Sequence, residues 1–287
     1  MKFFITGING QLGYDINLEL KNRGYTEILS PTRQEVDITN KESVDKAILD
    51  FKPNVIFHCA AYTAVDKAED DKENCYNINV IGTKNIVEAA KEVNAKVVYI
   101  STDYVFDGTK DGYYKEEDKT NPINYYGETK FLGEQETRKY DNHIITRISW
   151  VFGINGKNFV KSMLNLAETR DELNIVADQI GSPTYTKDLS KVLVDLAMSD
   201  KTGTYHVTND DICSWYDFAK YIFASNNVNI KLNPITTSEY PTRAKRPSNS
   251  KMSKEKLVND GFTMLPTWQD AVDRYNEELI KVRKKEK

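Results

Sequence analysis

Tyr126 and Lys130 stand four residues apart in the run Tyr125-Tyr126-Gly127-Glu128-Thr129-Lys130, with Ser101-Thr102 upstream at the end of an apolar stretch. On a helix, positions i and i+4 share a face. An ammonium beside a phenol favours the phenolate. Tyr126 is therefore expected to titrate below its ordinary ~10 and to act as an acid or base near neutrality. A hydroxyl from the end of a neighbouring strand, here Thr102, can polarise the same carbonyl. Tyr125 has only Thr129 at i+4, which leaves Tyr126 as the candidate.

A second group lies at the start of the chain. Gly7, Gly10 and Gly13, with Gln11 and Leu12 between the last two, follow Phe3-Phe4-Ile5-Thr6 directly. In a strand–loop–helix of this kind the first glycine permits the tight turn and the second lets backbone approach a pyrophosphate. The third allows close helix–strand packing, and the helix N-terminus offers free N–H groups to the phosphates. No Gly-Lys-Ser/Thr follows, so this is not a Walker loop. The second strand ends at Ser30, with Arg33 shortly after and no acid before Glu35. A guanidinium there meets a 2′-phosphate better than a 2′-hydroxyl, which favours NADPH, with NADH as the alternative.

These groups need elements to carry them. Short β-branched runs alternate with helical periodicity through the first 150 residues: strands at Phe3 to Thr6, Glu27 to Leu29, Val55 to Cys59 and Val97 to Ile100. Helices are expected over 12–22, closed by Gly24; after a Thr39/Glu42 capping box; and over about 75–93. Alternation of this sort builds βαβ units, hence an α/β, Rossmann-type doubly wound parallel sheet. After Trp150, Gly and Pro break the pattern into shorter elements. Residues 1–150 are expected to form a dinucleotide-binding domain, rejoined by roughly 186–210, and residues 151–185 and 211–287 a smaller α/β substrate lobe.

Composition agrees with a folded chain. The 287 residues include 39% hydrophobic and 29% charged residues, with 17 Tyr and 11 Phe, enough for a buried core. A net charge of −4 supplies no positive field for nucleic acid, and no apolar run is long enough to cross a bilayer. Three cysteines without a CxxC and three scattered histidines suggest neither a disulfide framework nor a zinc site. A cytoplasmic location is expected. The basic end at 281–287 reads as solvated.

Glycines 7, 10 and 13 with Thr102, Tyr126 and Lys130 resemble the cofactor loop and Ser/Thr–Tyr–Lys triad of the extended short-chain dehydrogenase/reductase family. Within that family, Ala60-Ala61-Tyr62-Thr63-Ala64-Val65-Asp66-Lys67-Ala68-Glu69, Ser101-Thr102-Asp103-Tyr104-Val105-Phe106-Asp107-Gly108 and Ser149-Trp150-Val151-Phe152 resemble the reductases of dTDP-4-keto-6-deoxy sugars. So do Asp178-Gln179-Ile180-Gly181-Ser182-Pro183-Thr184 and Arg246-Pro247-Ser248-Asn249-Ser250, and the likeness runs over nearly the whole chain. The resemblance implies reduction of the C4 ketone of dTDP-4-dehydro-L-rhamnose to dTDP-L-rhamnose, with hydride from the nicotinamide and a proton from Tyr126. It implies that Thr102 hydrogen-bonds the oxygen, and that Lys130 holds the nicotinamide ribose. By position it places Gly10, Gln11, Leu12, Asp37, Ile38, Ala60, Ala61 and Thr63 along the dinucleotide. Val65, Lys67, Asp103, Tyr104 and Trp150 are placed toward the dTDP-sugar, with Gln179 and Arg246 as further substrate contacts.

Sister dehydratases resemble the same pattern but carry Asp-Glu after the Thr; here Asp103-Tyr104 lacks the base for eliminating water. A reductase of a related 4-keto-6-deoxyhexose is the nearest alternative. Similar sequences also serve as non-catalytic, dinucleotide-binding regulatory subunits, but the retained triad favours an enzyme. Some members hold Mg2+ by carboxylates between two subunits of a homodimer. Asp15 and Glu278 stand at two such positions, and Lys187 at the third argues against a metal bridge here.

Overall fold

Phe3–Thr6 (β1), Val55–His58 (β3) and Lys96–Thr102 (β4) are buried at every position. Strands covered by helices on both faces read as unbroken apolar runs of this kind. With Ile28–Leu29 (β2), His143–Ile148 (β5) and a last strand, Gly203–His206, they form a six-stranded parallel sheet. Its order is Gly203–His206, β5, β4, β3, β1, β2. From β1 the chain steps outward to β2 and then returns to β3 on the other side. At such a switch point the loops leaving the two strands diverge, and a crevice opens beyond their carboxyl ends. The structure is a computed structural model that describes residues 1–285, so the basic end expected over 281–287 lies partly outside the described residues.

Helix α1 (Gln11–Asn22) presses Leu12, Ile16 and Leu20 onto the sheet. The following helix α2 (Lys41–Phe51) begins one residue later than the expected capping box. Asn40 is its N-cap, accepting from the Ser43 N–H at 3.1 Å. Thr39 is occupied elsewhere, giving its N–H and hydroxyl to Asp37 Oδ1 at 2.9 and 2.8 Å. The expected helix near 75–93 runs from Lys72 to Glu92 with a π-helical stretch, Asn77–Ile81, in its middle. Such wide turns cluster at functional sites. Here the π turn carries Asn79, which accepts the Tyr62 N–H at 2.8 Å and donates to Thr129 Oγ1 at 3.0 Å. That amide ties the loop after β3 to the helix bearing Tyr126.

Beyond Trp150 the helix Thr186–Met198 packs on α1, and Gly203–His206 pairs with β5. The other elements of this half gather round a separate apolar cluster that includes Phe152, Met163, Phe218, Ile222, Trp268 and Tyr275. Its strands are short: Glu172–Val176 pairs in parallel with Lys231–Ile235, and Ile180–Gly181 antiparallel with Cys213–Ser214. None of the described helices is long and apolar enough to cross a membrane.

Candidate active site

A cavity of about 700 Å³ lies over the carboxyl ends of β1, β3 and β4. At one end is the glycine loop. Gly7 has φ +74°, and a Cβ there would stand 2.8 Å from the Ala60 nitrogen. A Cβ on Gly13 would stand 2.4 Å from the Gly7 carbonyl oxygen, so only glycine lets α1 start this close to the strand. Gly10 is the N-cap of α1; it supplies no side-chain cap, and no acid stands in the first turn. The helix N-terminus therefore keeps its positive end for an anion. Arg33, Asp37, Ile38, Ala60, Ala61 and Thr63 line the same cavity, so every residue expected along the dinucleotide borders it.

A hydrogen-bond chain beneath the loop sets its position. The Ala60 N–H donates to Thr6 Oγ1 (3.0 Å), whose proton then faces His58 Nδ1 (2.8 Å). His58 Nε2 meets Thr83 Oγ1 at 3.1 Å, and Thr83 donates to the Asn79 carbonyl at 2.7 Å. One tautomer, with the proton on Nε2, satisfies every link. Burial, reinforced by the charge of Lys130, pushes His58 down to about 3, so at neutral pH it is an uncharged spacer whose two ring nitrogens are taken by Thr6 and Thr83.

Thr102 closes β4. Its hydroxyl donates to Asp103 Oδ1 at 2.9 Å and accepts the Tyr104 N–H at 3.2 Å. Tyr126 and Lys130 sit on the helix Tyr125–Arg138, capped by Asn124, which accepts from the Gly127 N–H at 2.8 Å. A Cβ on Gly127 would lie 2.2 Å from the Tyr104 carbonyl oxygen. That glycine therefore lets the helix seat against the turn carrying Thr102 and Asp103. Deeper in, Glu134 of the same helix accepts from Arg147 of β5 through Nε and Nη2, both at 2.8 Å, and from Ser101 of β4 at 2.6 Å. Arg147 and Glu134 are both fully enclosed. A buried pair this well hydrogen-bonded is strongly destabilising to break, so it locks helix and strands in one register.

The electrostatics differ from the expectation at Tyr126. The phenol is pushed up, not down, first by burial and then by the negative charge of Asp103, with the Thr102 hydroxyl pulling weakly the other way. Lys130 does not offset this, because burial drives its own ammonium down to about 7 despite Glu134. Its Nζ lies 4.2 Å from the centroid of the Tyr99 ring. Tyr126 is thus a loaded proton donor at neutral pH, the state a ketone reduction requires. Asp103, buried and hydrogen-bonded by Ser250 and Thr102, is raised to about 6 by desolvation.

The far wall of the cavity belongs to the second half of the chain. Trp150 has φ +50°, a left-handed conformation uncommon outside glycine, and its indole stacks on Trp215 with centroids 3.8 Å apart and planes 14° from parallel. Val65, Asp103, Tyr104 and Trp150 all face this cavity. Gln179 and Arg246 do not; they line a second cavity of about 640 Å³ that shares Trp215 with the first. Arg246 is moreover paired with Asp66 through Nη1 (3.1 Å) and Nη2 (2.6 Å), which straps its loop to the first half. Lys67 borders neither cavity: its exposed side chain reaches toward Asp71 at 3.7 Å. On a one-turn helix it faces outward while Val65 faces in. Trp215 carried no sequence signal, since only tertiary packing brings it to Trp150.

Asp15 and Glu278 do not converge as a metal cage. Thr186 donates its hydroxyl to Asp15, Tyr185 donates to Glu278, and Lys187 pairs with Glu278 at 3.0 Å. Among the described residues no group of three or more His, Cys, Asp or Glu side chains could hold a metal ion.

Residues 1–280 match the family model described as the RmlD substrate binding domain. The chain is similar to a dTDP-4-dehydrorhamnose reductase of Aggregatibacter actinomycetemcomitans, 44% identical over 94% of this chain and 97% of that protein. Among solved structures it resembles the dTDP-4-dehydrorhamnose reductase of Clostridium acetobutylicum (43% identity, TM-score 0.95, 97% and 99% of the two chains covered). It also resembles that of Bacillus anthracis in complex with NADP (42%, TM-score 0.94, 97% and 100% covered). The glycine cradle, the Thr–Tyr–Lys group and these likenesses along nearly the full length agree: the chain belongs to the RmlD substrate-binding-domain family, that of the dTDP-4-dehydrorhamnose reductases.

Proposed function

We propose that the protein reduces the C4 ketone of dTDP-4-dehydro-L-rhamnose to dTDP-L-rhamnose with NADPH, in the cytoplasm, as a step toward cell-surface polysaccharide. The observation that carries this reading is that Thr102, Tyr126 and Lys130 open into the same cavity as the glycine cradle. The cradle fits a dinucleotide diphosphate, because backbone fills the space a Cβ would need at Gly7 and Gly13. When bound, the nicotinamide supplies the hydride.

The remaining work falls to this chain. Backbone N–H groups at Gly10, Gln11 and Leu12 bind the diphosphate, and Arg33 meets the 2′-phosphate. Asp37, Ile38, Ala60, Ala61 and Thr63 line the dinucleotide's path. Lys130 donates to the nicotinamide ribose. Thr102 orients the ketone oxygen, and Tyr126, protonated at neutral pH, delivers its proton to that oxygen as negative charge develops. Val65, Asp103, Tyr104 and Trp150 hold the sugar, while Gln179 and Arg246 take the nucleotide end in the second cavity. On this reading, residues 1–150 with about 186–210 bind the cofactor, and 151–185 with 211–287 bind the substrate.

The test is NADPH oxidation with dTDP-4-dehydro-L-rhamnose generated in situ, followed by identification of the sugar formed. Turnover to dTDP-L-rhamnose is expected. A different 6-deoxyhexose as product, or cofactor binding with no turnover, overturns the assignment.

A further inference from the structure

The loop between the strand Val151–Phe152 and the helix Phe159–Ala167 lies directly across the glycine loop. Asn155 Nδ2 donates to the carbonyls of Asn9 at 2.9 Å and Gly10 at 3.2 Å. Asn158 Nδ2 donates to Gln11 Oε1 at 3.2 Å and to the Gly153 carbonyl at 2.8 Å. From behind, Lys161 Nζ holds the carbonyls of Ile154 (2.6 Å) and Gly156 (3.0 Å). Gly156 itself takes φ +76° beside Gln11. The loop is thus held by hydrogen bonds on both sides of the one residue they leave free, Lys157.

Lys157 lines the same cavity as Gly10, Gln11 and Thr32. Its ammonium has no hydrogen bond or ion pair among the described residues. The glycine loop supplies only backbone N–H groups to a diphosphate that carries two negative charges. Of the other cations on this cavity, Lys130 is buried at the catalytic end and Arg33 follows the β2 strand. We propose that Lys157 is a cofactor-binding residue, which brings a cation from the second half of the chain onto the diphosphate of the dinucleotide. The dinucleotide is then gripped from both sides, by the cradle and by the loop pinned across it. This inference rests on the dinucleotide reading of the cavity given above.

Lys157 and Arg33 face different parts of the dinucleotide, and NADPH and NADH separate them. The diphosphate is common to both cofactors, whereas the 2′-phosphate belongs to NADPH alone. Dissociation constants for NADPH, NADH and ADP-ribose would be measured by titration calorimetry on the full chain and on Lys157→Gln, Lys157→Arg and Arg33→Ala, at two salt concentrations. Lys157→Gln should weaken all three ligands by a similar ~5- to 10-fold, the scale of one charge-assisted contact, and flatten the salt dependence. Lys157→Arg should restore most of the affinity, and Arg33→Ala should weaken NADPH alone. Loss confined to NADPH would make Lys157 a 2′-phosphate contact, and unchanged affinity would make it a bystander; either result overturns the proposal. If the unaltered protein binds none of the three, the dinucleotide reading fails first and takes this inference with it.

Discussion

Gly181→Ala is the sharpest probe of how the second half of the chain shapes the sugar site. A methyl group there would lie 2.9 Å from Trp150 Cε2, 3.0 Å from Cζ2 and 3.1 Å from Nε1. Ordinary carbon contacts begin near ~3.5 Å, so the indole must retreat by roughly 0.5 Å. It is poorly placed to do so. Trp150 is stacked on Trp215, its backbone sits at φ +50°, and its carbonyl accepts the Thr184 N–H at 3.1 Å. Forcing a methyl into such packing costs ~1–3 kcal/mol, and losing the stack instead costs ~0.5–1.5 kcal/mol. Where that cost falls on the substrate-competent position of Trp150, the Michaelis constant for dTDP-4-dehydro-L-rhamnose should rise ~5-fold or more. The dissociation constant for NADPH should stay within ~2-fold, because Gly181 is not among the residues lining the cavity that holds the cradle. Steady-state kinetics with both substrates varied, beside a melting curve, makes the comparison, and a Tm lowered by ~2–4 °C per kcal/mol is expected in a chain of this size. Unchanged substrate kinetics with a lowered Tm would refute the idea that Trp150 positions the sugar. Equal weakening of both ligands would mean that the substitution acts on the whole cavity.

Two further predictions concern the catalytic end. Tyr126→Phe should lower turnover by ~10²-fold or more while NADPH affinity holds, since only the proton donor is removed; near-normal turnover would sink its role. His58 titrates near 6.5 in the unfolded chain but about 3 when folded. The unfolded state therefore binds the extra proton between these values, so the residue's contribution to stability is complete above pH ~6.5 and is lost as the pH falls toward 3. At pH ~5 that loss is ~2 kcal/mol, and His58→Gln should flatten the drop in urea midpoint between pH ~7 and ~5. Parallel drops in the two proteins would show that His58 is not held neutral.

The elements that carry the cradle were legible because their signals are local. The run Phe3-Phe4-Ile5-Thr6, the three glycines and the periodicity of Leu12, Ile16 and Leu20 each concern neighbours within a few residues, and strand, turn and helix form at those places. The i, i+4 spacing of Tyr126 and Lys130 is local too. Ladder pairing and helix geometry follow from backbone sterics and short-range packing, so such patterns survive into the folded chain. Small misreadings followed the same logic: Thr39 looked like a cap until Asp37, two residues away, took both of its donors.

What only the tertiary structure decided lies where distant segments meet. The direction of the Tyr126 shift depends on how much water the fold removes and on Asp103 standing beside it, whereas spacing reports only Lys130. Arg246 points into Asp66, 180 residues away in sequence, and Gln179 faces a second cavity, because the Pro-rich loops of that half have no periodicity to give their course. Trp215 reaches Trp150, and Asn155 reaches the glycine loop, through contacts that no interval along the chain encodes. Desolvation and long-range packing belong to the assembled volume, so the residue types that do the chemistry can be read along the chain, while their protonation and partners come only from the fold.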